Sequence, residues 1–236
     1  DISETNISIL MNIKPDVCFN ALHGSSGENG SIQGLLNLLR IPYTHSGVTA
    51  SAIAMNKIHF KRLVISATEK SSDPINFPKT LEILPDASID LKNHSGAFVI
   101  KPTNGGSSVG VRIIREGNKV PITNDTNFHN LMAEEYVGSK ELTVTVLQEQ
   151  PLCVTEIKAG QDKDFYNYEA KYEKNGSIHD IPAKIPKNTY NQAMSWALRV
   201  HQIIGCKGIS RSDFRYDDEN DKLYMLEINT QPGMTE

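Results

Sequence analysis

Cysteine is scarce. Only Cys18, Cys153 and Cys206 occur in 236 residues. None lies in a C-x-x-C pair or a Cys/His cluster, which argues against a disulfide scaffold and a structural zinc site. Basic residues are not in excess: 24 Lys and Arg stand against 28 Asp and Glu, a net charge of −4. A chain-wide basic face for wrapping nucleic acid is therefore not expected. No apolar run approaches the ~18 residues of a membrane-spanning helix, and the first residues show no secretory-leader pattern. These absences lead us to expect a cytoplasmic protein that binds neither nucleic acid nor membrane. What is present is ordinary for a globular chain: 39% hydrophobic residues is too apolar for disorder. The length allows one large domain or two small ones at ~100–200 residues each. The chain opens polar and without Met, and it stops directly after its most motif-like stretch, so both ends of a longer protein are expected to be missing.

The patterning is that of an α/β chain. Residues 16–22, DVCFNAL, read as a buried strand, followed by a Gly/Ser loop. SIQGLLNLLR places Ile32, Leu35, Leu36 and Leu39 on one helical face with Ser31 as cap. Ile41–Tyr43 reads as a short strand and residues 46–64 as one Ala-rich helix. Strands are expected at 97–101, 109–114, 131–137, 141–147 and 153–157. Residues 158–189 read as a long aromatic loop, and loops that long in a compact domain usually carry function. A helix over 191–204 should end at Gly205, and strands 209–217 and 222–229 should close the chain around an acidic turn. The three cysteines read as small core residues.

Several groups of residues can carry chemistry. Lys101 precedes a Gly/Ser loop containing Ser107 and Ser108, whose backbone N–H groups and hydroxyls suit an anion, with a flexible hairpin as the equal alternative. It is neither a Walker A loop nor a G-x-G-x-x-G fingerprint. Glu227 and Asn229 lie two apart on one strand and so face one way, with Asp213 expected on the neighbouring strand. Two carboxylates and an amide oxygen suit Mg²⁺, although solvated strand carboxylates are the commoner meaning of an isolated E-x-N. Arg211 shares its strand face with Asp213 and can stabilise developing negative charge or form a plain salt bridge. Lys171 and Tyr172 sit in the long loop, which can close over a ligand or simply cover the surface. Glu134, Glu135, Val137 and Glu141 mark a strand end whose backbone and carboxylates can read a base and a ribose, or form a charged edge. His23 follows the first expected strand, where α/β folds often bind ligands. Lys57, beside a helix, is uninformative alone.

Singly these signals are weak, but their order is specific. The series N-A-L-H-G…G-E-N-G-x-I-Q-G-L-L, I-P-Y-T-x-S-G-V-x-A-S-A-x-A-M-N-K, V-I-K-P-x-x-x-G-S-S-V-G-V, E-E-Y-V…K-E-L-T-V, F-Y-x-Y-E-A-K-Y, G-x-x-R-x-D-F and L-E-I-N-T-Q-P-G-M-T resembles the D-alanine–D-alanine ligase family of ATP-grasp enzymes over nearly the whole chain. The resemblance implies an α/β (α+β) ATP-grasp fold: the remainder of an N-terminal Rossmann-like domain at 1–45, a central subdomain at 46–136 and a C-terminal subdomain at 137–236 with the lid and Mg²⁺ site. It implies ATP-dependent joining of two D-alanines through an acyl phosphate, two Mg²⁺ ions with Mn²⁺ able to substitute, and a homodimer.

By the same resemblance, Lys57, Lys101 and Lys171 contact ATP, Glu134, Glu135 and Val137 form the adenine-reading hinge, and Glu141 holds the ribose. Asp213, Glu227 and Asn229 bind the metal ions, and Arg211 with the Gly233 backbone stabilises the tetrahedral intermediate. Ser107, Ser108 and Tyr172 form a network that closes the lid, and His23 lies near the first D-alanine. Two sequence departures stand out: Gln231 replaces a small residue or histidine before Pro232, and Asn56 stands where many members have Asp. The nearest rival is a D-alanine–D-lactate ligase, which carries histidine where Tyr172 stands. Another ATP-grasp carboxylate–amine ligase fits the N-A-L-H-G and lid motifs less well, and a non-catalytic nucleotide-binding module would not need the Arg211 and Asp213 set.

Overall fold

The structure, a computed structural model, describes residues 4–84, 89–90, 94, 96–105, 110–115, 130–159 and 177–233. Its larger part is a five-stranded antiparallel sheet in the order β7-β6-β5-β8-β9. The strands are β5 (Lys140–Leu147), β6 (Gln150–Ala159), β7 (Ser177–Asp180), β8 (Ile209–Asp217) and β9 (Lys222–Asn229). One face is apolar. Leu142, Val144 and Val146 of β5 alternate inward with Phe214 of β8 and Leu223 and Met225 of β9. The long helix α6 (Lys187–Ile204) packs across this face through Ala193, Trp196, Ala197 and Val200, all fully buried.

Trp196 anchors that packing and also donates its indole N–H to Asp73 Oδ2 at 2.7 Å. Asp73 additionally accepts from Gln192 and Arg199, so one carboxylate ties the segment after helix α5 (Lys57–Thr68) to three turns of α6. Trp196→Ala removes both the ring and the hydrogen bond, and is expected to cost about 3–5 kcal/mol in a urea titration. A loss below about 1 kcal/mol would contradict this packing.

The smaller sheet is four-stranded, in the order β1-β4-β2-β3. It consists of β1 (Thr80–Leu81), β2 (Phe98–Pro102), β3 (Arg112–Ile114) and β4 (Leu131–Glu135). Its own core is Leu81, Ile89, Phe98, Ile100 and Ala133. Helices α4 (Val48–Met55) and α5 give Ala50, Ala54, Phe60 and Val64 to the core of the large sheet. A third cluster, Ile32, Leu36 and Ile41, holds helix α3 (Ser31–Leu38) against the N-terminal segment, which also contains α1 (Glu4–Ile13) and the short α2 (Ser25–Glu28). Among the described residues no helix is long and apolar enough to cross a membrane.

Several expectations are corrected. Residues 16–22 form no strand: Cys18 makes a single parallel bridge to Tyr43, and Val17 and Phe19 are exposed. The cap of α3 is Gly30 at φ 97°, and Ser31 is its first helical residue. The expected single helix over 46–64 is two helices broken at Asn56. Asn56 lies extended, its Oδ1 accepting from the His59 N–H and its Nδ2 donating to Asn104 Oδ1, each at 2.9 Å. An aspartate could cap the helix but could not donate to Asn104 Oδ1, so the asparagine makes the bond as Asn104 now stands. The stretch 158–189 is not one loop, since β7 and the start of α6 fall within it. Residues 160–176 lie outside the description. Cys206 is buried as expected, its thiol pushed up to about 11 by burial, whereas Cys18 and Cys153 are only half-buried. The C-terminal boundary of α6 matches its expectation, with Gly205 at φ 73° and its N–H bonded to Gln202 O.

Candidate active site

The second face of the large sheet is polar, and its side chains follow directly from strand alternation. On β8 the outward residues are Arg211, Asp213 and Arg215, because Ser210, Ser212, Phe214 and Tyr216 turn to the core. Register places Thr143 of β5 and Glu227 of β9 on either side of Asp213, and Asn229 opposite Arg211. A bulge beyond Asp213 gives β9 one extra residue, and this shift is what brings Glu227 and Asn229, in place of Leu226 and Ile228, opposite Asp213 and Arg211.

Asp213 is the centre of this group. Arg211 grips it with both arms, Nε to Oδ1 and NH2 to Oδ2, each at 2.8 Å. Thr143 Oγ1 donates to Oδ1 at 2.7 Å and Asn229 Nδ2 to Oδ2 at 3.0 Å. Thr143 lies within the K-E-L-T-V stretch, where no role is expected of it. Its signal is only the alternating pattern of its strand. Glu227 faces Lys57, with Oε2 3.3 Å from Nζ.

Lys57 is the first residue of α5. Its Nζ also donates to Gly105 O at 2.6 Å, and its backbone N–H to Thr103 O at 2.8 Å. Residues 103–105 are thereby drawn toward Glu227 and Asn229. The cleft between them is lined by Glu28, Lys57, Gly105, Glu227, Asn229 and Gln231, among others. Glu28 was not singled out in the sequence. It also pairs with His23, Nδ1 to Oε1 at 3.4 Å, so His23 approaches the cleft through a carboxylate and is itself half exposed.

One helical turn along from Lys57, Lys61 reaches the small sheet. It donates to Glu134 Oε1 at 2.6 Å, Thr80 Oγ1 at 2.8 Å and Pro78 O at 2.5 Å. Lys101 Nζ holds the other oxygen of Glu134 at 2.5 Å. Glu134 is buried, which pushes its carboxyl pKa up, but the charges and hydrogen bonds of Lys101 and Lys61 outweigh burial and hold it below the ordinary value. Lys61 carries no sequence signal except its spacing of four from Lys57. Glu135 points to the other side of β4 and meets His94, Oε1 to Nδ1 at 3.6 Å.

Beyond β4 the chain turns through Tyr136–Ser139 into β5. Val137 presents its carbonyl to Arg215 Nε at 3.2 Å, and Glu141 lies 3.7 Å from Arg215 NH1. Gly233 is exposed at the end of the described chain, after a buried turn. Within that turn Gln231 donates to Asn20 O, while its Oε1 is buried without a partner. The unusual Gln231 therefore joins the end of the large sheet to the N-terminal segment. Ser107, Ser108, Lys171 and Tyr172 lie outside the described residues.

Among the described residues no three His, Cys, Asp or Glu side chains cluster as a metal cage. The donor set of Asp213, Glu227 and Asn229 is instead two carboxylates and an amide on adjacent strands, hard oxygen chemistry of the kind that leaves room for phosphate in a Mg²⁺ shell. Arg211 pairs with Asp213 and Lys57 with Glu227, so each carboxylate has a cation beside it.

The chain matches two family models, "D-ala D-ala ligase N-terminus" over residues 4–46 and "D-ala D-ala ligase C-terminus" over residues 91–236. It is 47% identical to the D-alanine–D-alanine ligase of Zymomonas mobilis, over 96% of this chain and 71% of the relative. Its fold is similar to the crystal structure of the D-alanine–D-alanine ligase of Bacillus anthracis, with a TM-score of 0.77 at 26% identity, covering 99% of this chain and 76% of that one. A structure of that ligase complexed with ATP has the same fold, with a TM-score of 0.77 at 24% identity over 99% of this chain and 74% of that one.

Proposed function

Because the chain belongs to the D-alanine–D-alanine ligase family, we propose that it joins two D-alanines into D-alanyl-D-alanine for peptidoglycan precursor synthesis, turning ATP into ADP and phosphate. A carboxylate oxygen of the first D-alanine attacks the γ-phosphorus of ATP, and ADP leaves. The amine of the second attacks the resulting acyl phosphate at carbon. The tetrahedral intermediate expels phosphate, and the new amide nitrogen loses its proton.

The observation that carries this reading is the group of Arg211, Asp213, Glu227 and Asn229 on one sheet face, with Lys57 set against Glu227. Negative charge is concentrated first around the transferring phosphoryl group and then on the former carbonyl oxygen when the amine adds, and fixed cations in a cleft lower both barriers. Arg211 is assigned to the acyl phosphate and tetrahedral intermediate, with the Gly233 backbone beside it. Lys57, Lys101 and Lys171 are assigned to the phosphates and the adenine edge. Glu134, Glu135 and Val137 are assigned to adenine, and Glu141 to the ribose. His23, supported by Glu28, is assigned to the first D-alanine. Ser107, Ser108 and Tyr172 are assigned to closing the lid. Mg²⁺ held by Asp213, Glu227 and Asn229 would neutralise phosphate charge. The proposal also includes the division into 1–45, 46–136 and 137–236, a homodimeric state and a cytoplasmic location.

The test is ADP release by the intact protein with ATP, Mg²⁺ and D-alanine. ADP formation that depends on D-alanine, with the dipeptide as product, is the expected result. Its absence in folded protein would reject the reading, and release driven better by D-lactate at near-neutral pH would select the depsipeptide ligase instead.

A further inference from the structure

We propose that Arg215 is a positioning residue for nucleotide recognition: it fixes the turn between the two sheets, and with it the base-reading and ribose-reading groups. The proposal rests on the ligase reading, which puts the nucleotide base at that turn. Nothing in the sequence pattern marks Arg215 out, since it is simply the third outward residue of β8.

The geometry is specific. Arg215 is buried, with 8% of its surface exposed. Its nitrogens are spread over four partners. Nε donates to Val137 O at 3.2 Å, and NH2 to Gly138 O at 2.6 Å and Tyr136 Oη at 2.9 Å. NH1 lies 3.7 Å from Glu141 Oε2, and the guanidinium carbon sits 5.1 Å from the centre of the Tyr136 ring. Two consecutive carbonyls of the turn, its aromatic residue and the first outward carboxylate of β5 are thus held by one planar group.

The turn is pinned from its other side as well. Gly138 takes φ 65°, and a Cβ there would lie 2.7 Å from the Tyr216 carbonyl. The Ser139 N–H donates to that same carbonyl oxygen at 3.1 Å. The turn is therefore held from both sides, with Arg215 bonded to the carbonyls of two successive peptide groups. A lysine could keep the charge near Glu141 but cannot serve two carbonyls and a hydroxyl with a fork of fixed geometry.

The experiment compares wild type, Arg215→Met and Arg215→Lys in the intact protein. ADP and inosine diphosphate binding is measured by calorimetry, and kcat and KM are measured with ATP and with D-alanine. Both variants should bind ADP at least about tenfold more weakly, the worth of one charged hydrogen bond. Their preference for ADP over inosine diphosphate should shrink. The KM for ATP should rise while kcat and the KM for D-alanine stay within about twofold, a split that a general loss of fold does not produce.

Unchanged ADP affinity, full rescue by Arg215→Lys, or an intact base preference with kcat falling alongside both KM values would each overturn the proposal. Should Arg215→Met fail to fold, Arg215→Lys carries the same comparison. A wild type that binds ADP but makes none from ATP and D-alanine would overturn the ligase reading while leaving the ADP measurements decisive for Arg215. A wild type that binds neither nucleotide overturns both.

Discussion

Arg211→Ala is expected to lower kcat on the order of 10³-fold, the upper range for removing one preorganised donor from a developing oxyanion, while ADP affinity falls by less than about fivefold. Two features of its geometry support the size of the effect. Both arms of the guanidinium are engaged with Asp213 at 2.8 Å, so its plane is fixed before any substrate arrives. Asp213 is in turn fixed by Thr143 and Asn229, so Arg211 cannot drift without breaking the group. A preorganised cation costs no reorganisation when charge moves onto the carbonyl oxygen, which is where most of its benefit arises. Steady-state kinetics and ADP calorimetry on the same preparation provide the test. Turnover within tenfold of wild type would remove Arg211 from the chemistry, and a parallel collapse of ADP affinity would make it a nucleotide-binding residue instead. Arg211→Lys should fall between, since it keeps charge but loses the two-armed hold on Asp213.

The readable part of this site is the part built by strand alternation. Arg211 and Asp213, and Glu227 and Asn229, are pairs spaced by two, so their sharing of a face follows from the sequence once β8 and β9 are recognised. That the two strands are neighbours follows from the short acidic turn between them, but the pairing of Asp213 with Glu227 does not: Asp217 against Lys222 would by itself set Asp213 against Leu226, and the bulge supplies the shift. Gly205 was legible for a similar reason, being a glycine at the end of an amphipathic run. Three kinds of information were not legible. Lys61 acts on a residue 73 positions away through a helix face that no motif announces, and the pairing of Glu28 with His23 is a contact inside a motif whose letters do not show who meets whom. Arg215 acts across 77 residues, on backbone carbonyls, and a carbonyl has no residue identity to read. The N-terminal segment differs for another reason: an apolar run such as DVCFNAL promises a strand only if a sheet is there to receive it, and among the described residues its one β-bridge is that of Cys18 to Tyr43. The helix break at Asn56 likewise depends on a partner, Asn104, that lies 48 residues away.

Glu134 carries an expected change in stability as large as that of Trp196. It stands between Lys61 and Lys101, with an ammonium on each oxygen at 2.6 and 2.5 Å. All three side chains are nearly withdrawn from water. Glu134→Ala would leave two cations facing each other without a counter-charge, a change expected to cost about 3–5 kcal/mol. Glu134→Gln keeps the shape and one acceptor and should cost less. The acid dependence has a definite sign. The Glu134 carboxyl is held below its ordinary pKa, so its contribution is complete above about pH 4.3, the unfolded value. It is lost as pH falls through the lower folded value. Urea titrations of wild type and Glu134→Gln should therefore run apart at neutral pH and converge in acid; curves that stay parallel across that range would show that the carboxylate does not carry the stability.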